Sequence, residues 1–372
     1  MTHPLYRDNK LKLGLFGTNV SHGCSISTVE GTLRATWQDT KQIAQIADRD
    51  GYEALVPVAR WRGFGGETDF NGASFETYTW AAGLGEATHD VGILTTSHVP
   101  IVHPILAAKQ GTTVDHITNG RFALNVVCGW FKPELEMFGA PIMEHDIRYD
   151  YAAEWVEILK LLWTREDDFD YEGKYLRVQK GFSMPKPIQK PFPPLMCAGG
   201  SERGRHFAAK YANLAIVTLQ GQTDPDQCRR IISGFRDLAR REYGRELQIW
   251  VQAYVVQRET QAEADAYLHH YVVERGDDAA VDRLCSVMIE QSESIPKEAM
   301  EAMKFHFKAG WGGRPLVGTP DKIVSELERL SAWGIDGVLL NWPNYTEGLA
   351  SWSRDVMPRL EQAGLRRRVA AR

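Results

Sequence analysis

Gly120-Arg121-Phe122-Ala123-Leu124-Asn125-Val126-Val127-Cys128-Gly129-Trp130 is the stretch on which the fold turns. Read as a strand, it sends Phe122, Leu124 and Val126 to one face and Ala123, Asn125 and Val127 to the other. Both faces are apolar apart from one amide. A strand of that kind belongs to a parallel sheet covered on both sides. Left unpaired in the interior, the Asn125 amide costs about 1–3 kcal/mol. It therefore meets either a neighbouring strand or water, as an ordinary core amide, or a bound ligand.

Outward from this strand, the chain alternates between strand-like and helix-like segments. Strands are expected at residues 11–16, 53–58, 91–96, 122–127, 195–198, 214–219, 247–257 and 337–340. Helices are expected at 35–50, 75–86, 104–117, 151–163, 202–211, 225–243, 261–271, 321–332 and 352–363. Pro104 starts one of them, where its missing N–H does no harm. Residues 129–150 are an aromatic-rich excursion, 171–178 a hairpin turning near Glu172-Gly173, and 185–194 a Pro-rich extended run. Residues 279–313 have a mixed pattern and end in Ala309-Gly310-Trp311-Gly312-Gly313. Eight βα units in 372 residues favour a closed (β/α)8 barrel of the TIM type. Insertions fall after the fourth strand and near the last βα units. The chain reads as one domain, 1–372, with a mobile lid at about 284–316. No GxGxxG follows the first strand and no Walker A motif is present, so a Rossmann or P-loop reading is disfavoured.

Composition limits the partners. Net charge is −5 with no long basic run, which argues against nucleic acid, and Arg366-Arg367-Arg368 reads as a solvated helix end. The five cysteines are dispersed without zinc spacing, so reduced thiols and no metal are expected. No apolar run reaches the ~18 residues of a membrane span, and no signal peptide is evident. The expectation is a cytoplasmic protein.

In a barrel the reactive residues sit where strands end. Those positions are Val58–Arg60, Thr95–His98, Asn125–Trp130, Gly199–Ser201, Thr218–Gln220 and Asn341–Trp342. Cys197-Ala198-Gly199-Gly200-Ser201 runs from a strand into a helix, where free N–H groups suit a phosphate; a plain Ser N-cap is the alternative. Arg148 and Tyr149 open another helix and suit a phosphate grip, or an exposed first turn. Glu134 is a loop carboxylate, solvated unless recruited. Trp61, Phe64 and Trp130 offer area for a planar ring, or ordinary packing. His98 is a proton donor or a hydrogen-bonded rim residue. No nucleophile elbow, paired carboxylates or HExxH appears. Such a set suits an enzyme whose cofactor carries the hard chemistry.

On Arg62-Gly63-Phe64-Gly65-Gly66, residues 119–130 with Lys132-Pro133-Glu134, Arg148-Tyr149, Cys197–Ser201, Leu316-Val317-Gly318-Thr319-Pro320 and Gly334-Ile335-Asp336-Gly337, the chain resembles the bacterial luciferase-like flavin monooxygenases. Within them it is most similar to the branch of dimethyl sulfone and pyrimidine monooxygenases. The resemblance implies a homodimeric or homotetrameric TIM barrel. It implies FMN used as FMNH2 from a separate NAD(P)H:flavin reductase, O2 as co-substrate and a flavin peroxide as oxidant. By motif, FMN contacts fall at Ala59, Arg60, Asn125, Glu134, Arg148, Tyr149 and Ser201, and the O2 pocket at Thr96, Asn125, Val56 and Val58. Val58 stands where the pyrimidine branch has a methionine. The implied substrate is a small sulfone or sulfonate losing its C–S bond, with Lys308 or Arg314 meeting an anionic one beneath a lid near residues 310–314. The alternatives are a pyrimidine or related heterocycle cleaved at its amide, or an F420- or FMN-dependent dehydrogenase on the same barrel.

Overall fold

The structure, a computed structural model, describes residues 2–140, 142–219, 224–289 and 297–367; side chains are described except at 289 and 297–299. Of the expected features, Gln220, Arg368 and residues 290–296 of the lid segment lie outside these. Among the described residues eleven strands form: β1 (Lys12–Phe16), β2 (Ala54–Val56), β3 (Gly92–His98), β4 (Phe122–Val127), β5 (Phe169–Glu172), β6 (Arg177–Gly181), β7 (Leu195–Cys197), β8 (Leu214–Val217), β9 (Gln248–Gln257), β10 (Arg314–Gly318) and β11 (Gly337–Asn341). β5 and β6 make the separate antiparallel hairpin. The others share one sheet in the order β10-β9-β11-β1-β2-β3-β4-β7-β8, and β9 also pairs with β8. That last pairing closes β1, β2, β3, β4, β7, β8, β9 and β11 into an eight-stranded parallel barrel of the expected TIM type.

Alternation along the strands sorts the core into two shells. Phe122, Leu124 and Val126 join the large cluster between sheet and helices, with Ile93, Leu195 and Val338. Ala123 joins an inner cluster with Val56, Leu94, Met196, Leu214, Trp250 and Leu339. This inner plug is tight: a Cβ on Gly14 would lie 2.7 Å from the Leu339 side chain. The barrel is thus filled below and open only above.

Several elements depart from expectation. The helix expected at 151–163 runs from His145 to Thr164, because its charged first turns carry no apolar period. Residues 279–313 hold the helices Asp278–Ile289 and Lys297–Gly310, and the strand Arg314–Gly318 follows. That strand lies beside Ala253–Gln257, where β9 outruns the barrel, and Pro315 is tolerated because β10 is at the sheet edge. Arg366 is not solvated. It is 4% exposed, and its Nη1 lies 2.8 Å from Glu53 while donating to Leu11 O; its Nη2 donates to Gly51 O. Among the described residues, no helix is long and apolar enough to cross a membrane.

Candidate functional site at the barrel mouth

The inward position above the plug, two residues on along each strand, is Thr96, Asn125, Ala198, Ile216, Gln252 or Asn341. Ala198, Gly200 and Thr218 are exposed at this level, and Phe16, Ile216 and Gln252 partly so, marking the open mouth. In the ring of strands, β3 and β4 stand opposite β9 and β11.

On the first side, Thr96 and Asn125 are register partners. Thr96 Oγ1 donates to Pro57 O at 2.6 Å and so accepts from Asn125 Nδ2 at 3.2 Å. This fixes which end of the amide is oxygen. Asn125 Oδ1 is then buried with no partner among the described residues. Asn19 holds the end of β2 with both amide atoms: its Oδ1 accepts from Val58 N and its Nδ2 donates to Val58 O, each at 2.8 Å. Val58 and Ala59 therefore sit at the rim, 7% and 8% exposed, whereas Val56 lies fully inside the plug.

Arg60, Glu134 and His98 form a buried cluster next to these. Glu134 Oε1 accepts from Arg60 Nη1 at 3.2 Å and from the N–H groups of Trp61 at 2.6 Å and Arg62 at 3.3 Å. The Arg60 guanidinium lies 4.8 Å from the Phe64 ring, 5.0 Å from Phe131, 5.4 Å from Trp130 and 5.9 Å from Trp311. Rings of negative face around a cation stabilise it where water is excluded. His98 Nδ1 stands 3.6 Å from Glu134 Oε2. Burial, and then the Arg60 charge, lower His98 to about 3, so its imidazole is neutral at pH 7. This loop carboxylate, read from sequence as solvated unless recruited, is 1% exposed and organises the loop after β2.

A third group surrounds the start of the helix Glu202–Tyr211. Ser201 is its N-cap, with Oγ accepting from Gly204 N at 3.1 Å. A Cβ on Gly199 would lie 2.8 Å from Gly204 Cα, so glycine is needed for strand and helix to meet; one on Gly200 would have nothing within 4 Å. Tyr149, whose phenol burial pushes up to about 12 against its contact with Ser201, stands next to Gly204, and Arg148, the residue before it, donates its Nη1 to Gly129 O at 2.8 Å. N–H groups, a hydroxyl and a phenol meet here, with the Arg148 guanidinium one residue away on the Tyr149 helix, a set that suits an anion.

Lys308 and Arg314, expected to meet an anionic substrate, are both held in ion pairs. Lys308 Nζ is 2.6 Å from Asp278, and Arg314 Nη2 is 2.6 Å from Glu326 while its Nη1 donates to Leu219 O. On the far side of the mouth stands a group the sequence reading passed over. Gln252 Nε2 donates to Gly310 O at 3.1 Å, and Tyr254 Oη lies 3.1 Å from His306 Nδ1. The signal for Gln252 was the one that exposed Asn125, an amide on the inner face of an apolar strand.

The luciferase-like monooxygenase family model matches residues 15–337. The chain belongs to the luciferase-like monooxygenase family. It is 29% identical over 375 aligned positions to the FMNH(2)-dependent dimethylsulfone monooxygenase of Pseudomonas putida, covering 97% of this chain and 98% of that one. It is 28% identical to the pyrimidine monooxygenase RutA of Acinetobacter baylyi, covering 94% of each. The crystal structure of DmoA from Hyphomicrobium sulfonivorans superposes with a TM-score of 0.82 at 20% identity, over 96% of this chain and 89% of that one, and shares its fold. Family membership makes the protein a monooxygenase.

Proposed function

We propose that the protein is an FMNH2- and O2-dependent monooxygenase of a small organic substrate, supplied with reduced flavin by a separate reductase. The observation that carries this is the buried Asn125 Oδ1, which has no partner among the described residues. An acceptor left empty in the protein suits a reduced flavin, whose ring gains N–H donors on reduction. The donor set at Ser201, Arg148 and Tyr149, with the open space at Gly200, suits the flavin phosphate. When bound, FMNH2 supplies the two electrons that activate O2.

The residues of this chain bind and orient. Ser201, Arg148 and Tyr149 hold the phosphate. Ala59 and Asn125 meet the ring, and Glu134 fixes Arg60 and the Trp61–Arg62 backbone beside it. Thr96 and Asn125, floored by Val56 and walled by Val58, hold O2. Neutral His98 is a polar wall of this pocket. A single domain, 1–372, carries a lid over 284–316 that excludes water. The substrate is a sulfone, with a cyclic amide such as a pyrimidine as the second reading. The ion pairs of Lys308 and Arg314 argue against a sulfonate. A cytoplasmic homodimer or homotetramer fits the reading. Anaerobic titration tests it: FMNH2 binds at least about tenfold tighter than FMN, and Asn125→Leu narrows that gap. Equal affinity for the two redox states would count against the assignment.

A further inference from the structure

The side of the mouth opposite Asn125 carries two polar atoms that have no partner among the described residues. Trp250, Gln252 and Tyr254 alternate along β9, and Trp250 belongs to the inner plug, so Gln252 projects into the mouth above it. Gly310 O accepts from Gln252 Nε2, which fixes the amide orientation and leaves Oε1 without a partner among the described residues. His306 and Gly310 are four apart on the helix Lys297–Gly310 and share a face. The face that brings Gly310 to Gln252 therefore presents His306 to the same side. Tyr254 Oη lies 3.1 Å from His306 Nδ1; in the tautomer in which the hydroxyl donates, His306 carries its proton on Nε2, which has no protein partner among the described residues. Burial lowers the His306 imidazole, so it is neutral at pH 7.

Four nearby cations are held in ion pairs. Arg60 is held by Glu134, Lys308 by Asp278, Lys304 by Asp282 and Arg314 by Glu326. The undescribed stretches 220–223 and 290–296 contain no lysine or arginine. An anion brought here would lose its hydration and gain no buried countercharge.

We propose that Gln252 and His306 are the substrate-recognition pair and that they select an uncharged molecule with an exposed oxo group, the His306 Nε2–H donating to that oxygen. The Gln252 Oε1 accepts an N–H or a polarised C–H from the same molecule. This rests on the monooxygenase reading above and narrows its substrate class. Sulfones and cyclic amides share the required chemistry; sulfonates and carboxylates do not.

The test is equilibrium binding to the FMNH2-loaded protein without O2, followed by calorimetry, using dimethyl sulfone, uracil and methanesulfonate. At least one neutral probe is expected to bind about tenfold or more tighter than methanesulfonate. Gln252→Ala and His306→Ala should each weaken that probe about three- to tenfold, the worth of one hydrogen bond, with FMNH2 affinity unchanged. The near-isosteric Gln252→Glu should weaken it further, and His306→Asn should restore part of the loss. Tightest binding of methanesulfonate, no binding of either neutral probe, or unaltered affinity in both alanine variants would overturn the proposal. Failure to bind FMNH2 at all would instead overturn the cofactor reading on which it rests. Which neutral probe binds identifies the source of the oxo group.

Discussion

Asn125 uses its N–H on Thr96 and keeps its oxygen empty, while Glu134 does the reverse of what a loop carboxylate usually does and is buried. The two were legible to different degrees. Asn125 stood out because an apolar strand makes any amide conspicuous. Glu134 gave no such sign, since its partner Arg60 lies far away in sequence and their pairing depends on the barrel bringing β2 and β4 loops together. Glu134→Ala leaves the Arg60 charge among four rings with no counterion. Denaturant unfolding should show a loss of about 3–5 kcal/mol. The neutral histidines make a second prediction at this scale. Burial holds His98 near 3 and His3 near 4, against 6.5 when unfolded. Below pH 6.5 the unfolded chain binds protons that the folded one refuses, so stability is full above 6.5 and falls as pH drops toward 4. The slope is about 1.4 kcal/mol per pH unit for each histidine. A stability profile flat from pH 7 to 5 would contradict their buried, neutral state.

Among the elements, the eight barrel strands were legible because each is a short apolar run bounded by turns. The segment 279–313 was not, because its helices bury their faces against one another and against the β2 loop. Ile26, Phe64, Phe70 and Phe131 pack there with Val281, Leu284 and Phe307. Trp311 sits at the join. Its backbone is left-handed, φ 52°, and its ring lies 5.9 Å from Phe64, 5.7 Å from Phe70 and 6.4 Å from Trp130. A bulky residue in that conformation persists only where surroundings hold it. Asp277 adds a second tie, accepting from Thr68 N at 2.7 Å and Thr68 Oγ1 at 2.8 Å. Trp311→Ala should raise amide exchange in the loop after β2 and in the helix Lys297–Gly310 together. A rise confined to one of them would show that they are not coupled.

At the scale of the whole molecule, the barrel is plugged within and open above, and it is clasped below by the C-terminal segment. Arg366 joins Glu53 to the carbonyls of Leu11 and Gly51, and Glu53 also accepts from Leu13 N at 2.8 Å. Three arginines in a row look like solvent-facing charge, and only the closed barrel supplies the buried carboxylate that changes the reading for one of them. Arg366→Ala should cost about 3–5 kcal/mol by chemical unfolding while leaving FMNH2 affinity unchanged, because clasp and mouth lie at opposite ends. A loss of cofactor affinity at full stability would put that separation in error. The mouth carries the central claim, that a reduced flavin and O2 meet there beside Asn125 and deliver oxygen to a substrate. The most direct measurement is turnover under ¹⁸O2 with a flavin reductase and NADH, using whichever probe binds the FMNH2-loaded protein. One labelled oxygen atom incorporated per turnover is predicted, with the rate lowered about tenfold or more in Asn125→Ala. Product formed without O2, or carrying oxygen only from water, would contradict the account.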